Sequence, residues 1–167
     1  SSQVAIMDLV IEGLPYHAYR IDFEPAFQQM FKAYEGKKHK FLYLNSAIAS
    51  SEQAGRLAAF KRACAGAKKP QELKVISVNQ EVGDADELES VLSSYKPDYV
   101  CGYVHHRWIP TISAKAKVYP FALDSDKPGF VVNSSEWMQQ VLADIYDNLE
   151  DRRPGAMVFS FPATFRP

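Results

Sequence analysis

The chain has 167 residues, of which 47% are hydrophobic, 23% charged and 13% aromatic. That is the balance of about one packed globular domain, and it excludes a disordered or fibrous chain. Nineteen Lys and Arg against twenty Asp and Glu leave a formal charge of −1, so no basic excess marks this chain itself as a binder of phosphate backbone.

The elements are read in chain order from hydrophobic periodicity. Apolar runs at 4–10 and 19–23 predict two strands. A helix follows over 25–35, with Pro25 near its first position and Phe27, Met30, Phe31 and Tyr34 at i, i+3, i+4, i+7 spacing. The run 41–44 predicts a strand, and 51–66 a helix opened by a capping box of Ser50 and Gln53. Leu57, Phe60 and Cys64 share one face of that helix. A strand at 73–78 leads to a helix over 85–95, capped by Asp84 and Glu87 and striped by Leu88, Val91, Leu92 and Tyr95. Strands at 99–103, 118–123 and 130–132 precede a last helix over 135–150, opened by Ser134 or Ser135. Its stripe is Met138, Val141, Leu142, Ile145 and Leu149, it ends before Pro154-Gly155, and a strand at 157–161 follows.

Near-continuous apolar strands alternating with helices across 41–103 imply βαβ units. The expected class is α/β, a doubly wound, mostly parallel sheet covered on both faces. Ligands of such sheets bind beyond the carboxyl ends of the strands. That nominates the loops 45–50, 79–83, 104–108 and 124–127.

The sequence contains no GxGxxG, GxxxxGK[ST], GxSxG or HExxH pattern. No catalytic residue, cofactor or metal site is assigned. His105-His106 lacks an Asp, Glu or Cys at ligand spacing, so a loop or ligand-contact role is the simpler reading. Cys64 and Cys101 read as small core residues and form neither a metal spacing nor a disulfide framework. The run 37–40 is basic where cations suit a helix C-terminus. Arg56 has two readings. Its guanidinium can donate paired hydrogen bonds to vicinal hydroxyls or a carboxylate, or it can pair with Glu52 at i−4. No apolar run approaches the roughly 20 residues of a membrane span. The opening Ser1-Ser2-Gln3-Val4 carries no basic or apolar signal region, although such a segment can be removed. A reducing cytoplasmic compartment is expected.

Several stretches together resemble the effector-binding domain of the lactose-repressor-like (LacI/GalR) family of bacterial transcription regulators. Val4-Ala5-Ile6-Met7-Asp8 followed by Tyr19-Arg20-Ile21-Asp22-Phe23 is similar to a strand ending in Asp and then a "V-x-D" step. The stretch 36–44 resembles "G-H-[RK]-x-I-x-x-I", and 50–63 matches the "x-x-R-L-x-G-F-x-x-A" helix nearly position for position. Weaker echoes are Lys96-Pro97-Asp98-Tyr99-Val100, Phe121-Ala122-Leu123-Asp124, the helix 136–149 and the closing 161–166. Where the family has "N-D-x-x-A", this chain reads Gly102-Tyr103-Val104-His105-His106-Arg107-Trp108, so that edge of the site is remodelled.

The resemblance implies a periplasmic-binding-protein-like lobe and a site for a small effector, a sugar or related metabolite. By position it assigns ligand contact to Asp8, Ser46, Ser50, Arg56, Tyr103 and Asp124, with Trp108 or Tyr103 covering an apolar sugar face. It implies that residues 1–20 are a remnant of the first lobe and crossover. Residues 21–133 are then the C-terminal lobe, 134–153 a helix packing on the first lobe, and 154–167 the closing strand of the C-terminal lobe. Part of the apolar face of Met138, Val141, Leu142 and Ile145 is then covered by a partner copy or by rearranged packing, or is left exposed. A homodimer is expected, and operator DNA would be bound only through an N-terminal helix-turn-helix absent from this chain. Two other readings stand beside this one. A transport-type periplasmic sugar-binding protein shares the fold, and a small flavodoxin-like enzyme shares the topology but has no motif to support it.

Overall fold

The computed structural model describes residues 5–7, 17–79, 86–148 and 157–167. Asp8, the Asp84 of the predicted cap pair and Leu149 lie outside the described residues.

Among the described residues nine strands form two sheets. The larger has six strands: β3 (Lys40–Ser46), β4 (Glu72–Val78), β5 (Tyr99–Gly102), β6 (Lys117–Leu123), β7 (Gly129–Val132) and β9 (Thr164–Arg166). Their order is β4-β3-β5-β6-β7-β9, and every pair is parallel except β7 with β9. The chain enters this sheet at β3, steps outward to the edge at β4, then reverses to β5 on the other side of β3. That reversal is the switch point where the loops of adjacent strands diverge and leave a crevice.

Alternation along the strands sorts two cores. Phe41 and Tyr43 point to one face, against Phe27, Met30 and Phe31 of α1 (Glu24–Ala33) and Phe60 and Cys64 of α2 (Ser51–Ala65). Leu42 and Leu44 point to the other, against Leu88, Val91 and Leu92 of α3 (Asp86–Tyr95) and Ile112 of α4 (Ile109–Ser113). Both faces are covered, as the apolar strands require. The first face is dominated by aromatic rings in edge and tilted contacts, among them Phe27 with Phe130 at 4.8 Å and Phe31 with Phe41 at 4.8 Å.

The smaller sheet has three parallel strands, β1 (Ala5–Met7), β2 (His17–Asp22) and β8 (Met157–Pro162), in the order β1-β2-β8. Helix α5 (Ser134–Asn148) is tied to it by the Tyr19 hydroxyl, which donates to Asp144 at 2.6 Å. The closing segment of the chain is divided between the sheets: β8 pairs with β2, and only β9 joins the larger sheet. The chain passes between the sheets at Asp22–Glu24, at Asn133 and at Pro162–Thr164. Two of these passages are stitched together, since Ala163 N donates to Asp22 O at 2.8 Å.

Helix starts follow capping chemistry. Ser50 Oγ accepts from Gln53 N at 3.0 Å, as the sequence predicts. At α5 the cap is Asn133 and not a serine, its Oδ1 accepting from Glu136 N at 3.1 Å. Ser134 stands one position inside the helix. Its predicted stripe is split: Val141 is buried, while Met138 is 41% and Leu142 57% exposed. Trp137 takes part of the inward role instead. No described helix is long and apolar enough to cross a membrane.

Candidate ligand-binding site

The switch point places the carboxyl ends of β3 and β5 side by side, with α2 rising from the loop after β3. Arg56 lies on the second turn of α2. Its guanidinium sits 4.6 Å above the ring of Phe23, 5.5 Å from that of Phe121 and 5.9 Å from that of Tyr103. Its Nη1 donates to the Tyr103 hydroxyl at 3.2 Å. The rings brace one another, with Phe23 and Phe121 at 4.6 Å and Tyr103 and Phe121 at 4.9 Å. A planar cation stacked this way is held in one orientation and loses little entropy when it engages a ligand.

Arg56 borders an open cavity of about 320 Å³ between the end of β2 and the start of α1 on one side and α2 on the other. Polar groups ring it. Arg20, Asp22 and Glu24 come from the first wall, and Ser51, Glu52 and Arg62 from the second. Some are committed. Arg62 makes two hydrogen bonds to Glu24, at 3.0 and 2.9 Å, bracing α2 against α1. Arg62 holds the Glu24 carboxyl below its ordinary value. Asp22 Oδ1 accepts from Glu24 N at 3.0 Å, just ahead of α1. The mixed charges and the aromatic floor suit a small polar guest with some apolar surface.

On β3 two polar atoms are buried without a hydrogen-bond partner, the Tyr43 hydroxyl and Asn45 Oδ1. Burial pushes the Tyr43 phenol well above the ordinary value, with Tyr103 adding to the shift and Arg56 opposing it. Each such group costs about 1–3 kcal/mol. Both lie on strand β3, at positions that alternate with the apolar Leu42 and Leu44.

The other predicted contacts separate from Arg56. Ser50 caps α2, and Ser46 Oγ accepts from Ile48 N at 3.2 Å in a tight turn. Trp108 faces inward: it is 2% exposed and packs with Leu44, Val100 and Ile112, which corrects its reading as a cover for the ligand. It closes a 3-10 turn (His106–Trp108) that leads into α4 and replaces the longer element of the resembled pattern. Asp124, at φ 50°, accepts from Ser134 N at 2.8 Å and from Ser134 Oγ, so it supports the start of α5. It lines a different, shallow cavity with Asn133 and Arg166, not the one beside Arg56. Of the predicted site residues, Arg56 and Tyr103 are therefore the two brought together.

Sequence reasoning missed Phe23 and Phe121, which look like ordinary core aromatics. It also missed Arg20 and Asp22. Their alternation with Ile21 at the end of an apolar strand is the signal that could have found them. Among the described residues no group of three or more His, Cys, Asp or Glu stands close enough to hold a metal ion.

No protein-family model matches the sequence, and no curated protein matches it significantly. Solved structures do. A LacI transcriptional regulator from Lactobacillus brevis superposes with a TM-score of 0.71 at 13% identity, covering 100% of this chain and 70% of its own. A transcription repressor of the LacI family from Corynebacterium glutamicum gives 0.74 at 13% identity, with 98% and 70% coverage. A LacI-family regulator from Enterococcus faecium with bound ribose gives 0.68 at 11% identity, with 99% and 68% coverage. The chain has the fold of the effector-binding, periplasmic-binding-protein-like domain of LacI-family transcription regulators.

Proposed function

We propose that this chain is the ligand-sensing module of a LacI-type transcription regulator, and that a small polyhydroxylated metabolite of the sugar class binds beside Arg56. The observation that carries this reading is the guanidinium stacked on Phe23, Phe121 and Tyr103 at the rim of a polar cavity between the β2–α1 passage and α2. A neutral polyol needs a fork of donors, carboxylate or hydroxyl acceptors and an apolar surface for its C–H face. The cavity offers each, in Arg56 and Arg20, in Asp22 and Glu52, and in the ring of Phe23.

Structural relatives support a small-molecule effector. One holds ribose, and the Cra regulator from Pseudomonas putida was solved with fructose 1-phosphate. The site binds and does not turn over. Among the described residues its lining supplies hydrogen-bond partners and no paired nucleophile and base. Ligand bridging β2 and α2 shifts the equilibrium between two dispositions of the sheets about their three passages. Operator contact belongs to an N-terminal helix-turn-helix outside this chain, and the regulator works in the cytoplasm as a homodimer.

The test is isothermal calorimetry of the chain against a panel of pentoses, hexoses, their phosphates and nucleosides. One class is expected to bind saturably and to lose roughly ten- to a hundredfold in affinity in Arg56→Ala. A ligand that binds Arg56→Ala as tightly as the parent chain would overturn the site.

A further inference from the structure

The near-zero charge of the chain conceals a strong local imbalance. Strands β4, β3, β5 and β6 are adjacent and parallel, so the segments that open them, 66–74, 35–40, 95–98 and 114–117, meet at one end of the larger sheet. Backbone bonds tie them together there. Glu72 N donates to His39 O at 3.0 Å, Asp98 N to Lys40 O at 2.9 Å, and Lys117 N to Asp98 O at 3.0 Å. These four segments carry nine of the chain's twelve lysines and none of its seven arginines, against three carboxylates, Glu35, Glu72 and Asp98. Arg56 stands at the opposite end of the same strands.

Local bonds neutralise few of these charges. Lys38 pairs with Glu72 at 3.6 Å and Lys68 with Glu35 at 3.0 Å. Lys69 donates to Gly36 O at 2.8 Å, and Lys40 to Tyr95 O at 3.3 Å, which suits cations beside the ends of α1 and α3. Lys37, Lys74, Lys96 and Lys117 are exposed and form no ion pair among the described residues. Lys40 Nζ and Lys74 Nζ both lie over the ring of Tyr95, at 5.4 and 5.7 Å from its centroid. Two like charges are thus gathered at one ring, an arrangement that a docked anion stabilises.

The composition of this end selects the partner. Protein interfaces are enriched in arginine and aromatic side chains and depleted in lysine, the reverse of what stands here. Helices that lie on a membrane add large apolar side chains to their cations, and the described residues of these segments include no exposed large hydrophobic. Lysine is a point charge on a flexible stem, suited to phosphate oxygens wherever they fall. Four strands spaced by about 4.8 Å span about 15 Å. A nucleic-acid duplex carries a charge per roughly 1.7 Å of its axis, so an array this wide meets several phosphates at once.

We propose that the lysine-rich end of the larger sheet is a docking surface for the phosphate backbone of a double-stranded nucleic acid, gripped without regard to sequence. It is distinct from operator reading by a helix-turn-helix and does not depend on the effector assigned to Arg56.

The probes are fluorescein-labelled duplexes of about 20 base pairs, two DNA duplexes of unrelated sequence and one of RNA, titrated with the chain at about 50 mM salt and followed by anisotropy. The expected result is saturable binding, equal for the two DNA sequences, whose log affinity falls against log salt with a slope of about −4. The paired substitution Lys37→Glu with Lys117→Glu is expected to weaken it at least tenfold and to reduce the slope by about two. Lys61→Glu with Lys127→Glu makes the same change of net charge at exposed positions elsewhere. That pair, and Arg56→Ala, are expected to leave binding within about twofold of the parent. Tighter binding of the DNA or of the RNA names the source of the backbone. Binding to neither duplex, equal weakening by the two lysine pairs, or binding only to phosphatidylserine vesicles or to polyglutamate overturns the proposal.

Discussion

Arg56 donates to the hydroxyl of Tyr103 at 3.2 Å while its guanidinium lies over the ring of Phe23 at 4.6 Å. A side chain of α2 is thereby held against the ends of two other elements, the β5 loop and the β2–α1 passage. The planar fork is what makes this possible, since an ammonium cannot both stack flat and donate along an edge. Arg56→Lys is therefore expected to leave the melting temperature within a few degrees of the parent chain. The same variant is expected to weaken effector binding roughly tenfold or more. Calorimetry together with a thermal melt separates the two effects. Retention of full affinity by the lysine variant would show that only charge matters at this position.

Trp108 calls for the opposite pattern. At 2% exposure, among Leu44, Val100 and Ile112, it holds the 3-10 turn and α4 onto the sheet. Trp108→Ala is expected to destabilise the chain by about 3–5 kcal/mol through cavity formation. Trp108→Phe is expected to bind effector as the parent does once folded. A phenylalanine variant of normal stability that no longer bound effector would return Trp108 to the ligand's surface.

These two residues show what the sequence could and could not convey. The position of Arg56 was legible because a helix after an interior strand has a known place in a doubly wound sheet, and its motif is local. The doubly wound, mostly parallel sheet and its cover on both faces were legible for the same reason, from apolar runs and helical stripes. Trp108 was not, because 106–113 curls into a turn and a short helix whose inward side no periodicity reveals. Asp124 was misleading in another way. A carboxylate at a strand end reads as a ligand acceptor, but whether a later backbone N–H claims it depends on where α5 begins. The cage of Phe23 and Phe121 required the β2–α1 passage and the distant strand β6 to be brought to one point, which pattern within a segment does not encode.

Asp124 accepts from the N–H and hydroxyl of Ser134, and these bonds hold its carboxyl below the ordinary value of 3.8. The sign follows from linkage: a carboxyl with a depressed folded value contributes stability above its unfolded value and loses it as pH falls through the folded one. Asp124→Asn is thus expected to melt below the parent chain at pH 7, with the gap closing below about pH 3.8. Effector affinity at pH 7 is expected to change less than about threefold, far less than in Arg56→Ala. Melting curves across pH 3 to 7 check the first expectation and calorimetry the second. A large loss of affinity with unchanged melting would reinstate Asp124 as a ligand contact.

Gly102 governs whether Tyr103 reaches Arg56 at all. Its φ of 105° lies in the left-handed region that side chains avoid, and it turns β5 so that Tyr103 N donates to Leu44 O at 2.9 Å. A Cβ built there would stand 2.5 Å from Leu44 O and 3.3 Å from Tyr43 Cε2. Backbone carbonyl cannot yield as a flexible side chain can, so relief requires β5 to part from β3 or φ to rotate. Either movement carries Tyr103 away from the guanidinium. Gly102→Ala is expected to cost about 1–3 kcal/mol from backbone strain alone, and to weaken effector binding in the surviving folded fraction. Tyr103→Phe removes the same hydrogen bond without the strain and is expected to lower affinity with no comparable loss of stability. If Gly102→Ala unfolds at the parent's denaturant midpoint, the close approach of β5 to β3 at this residue is wrong.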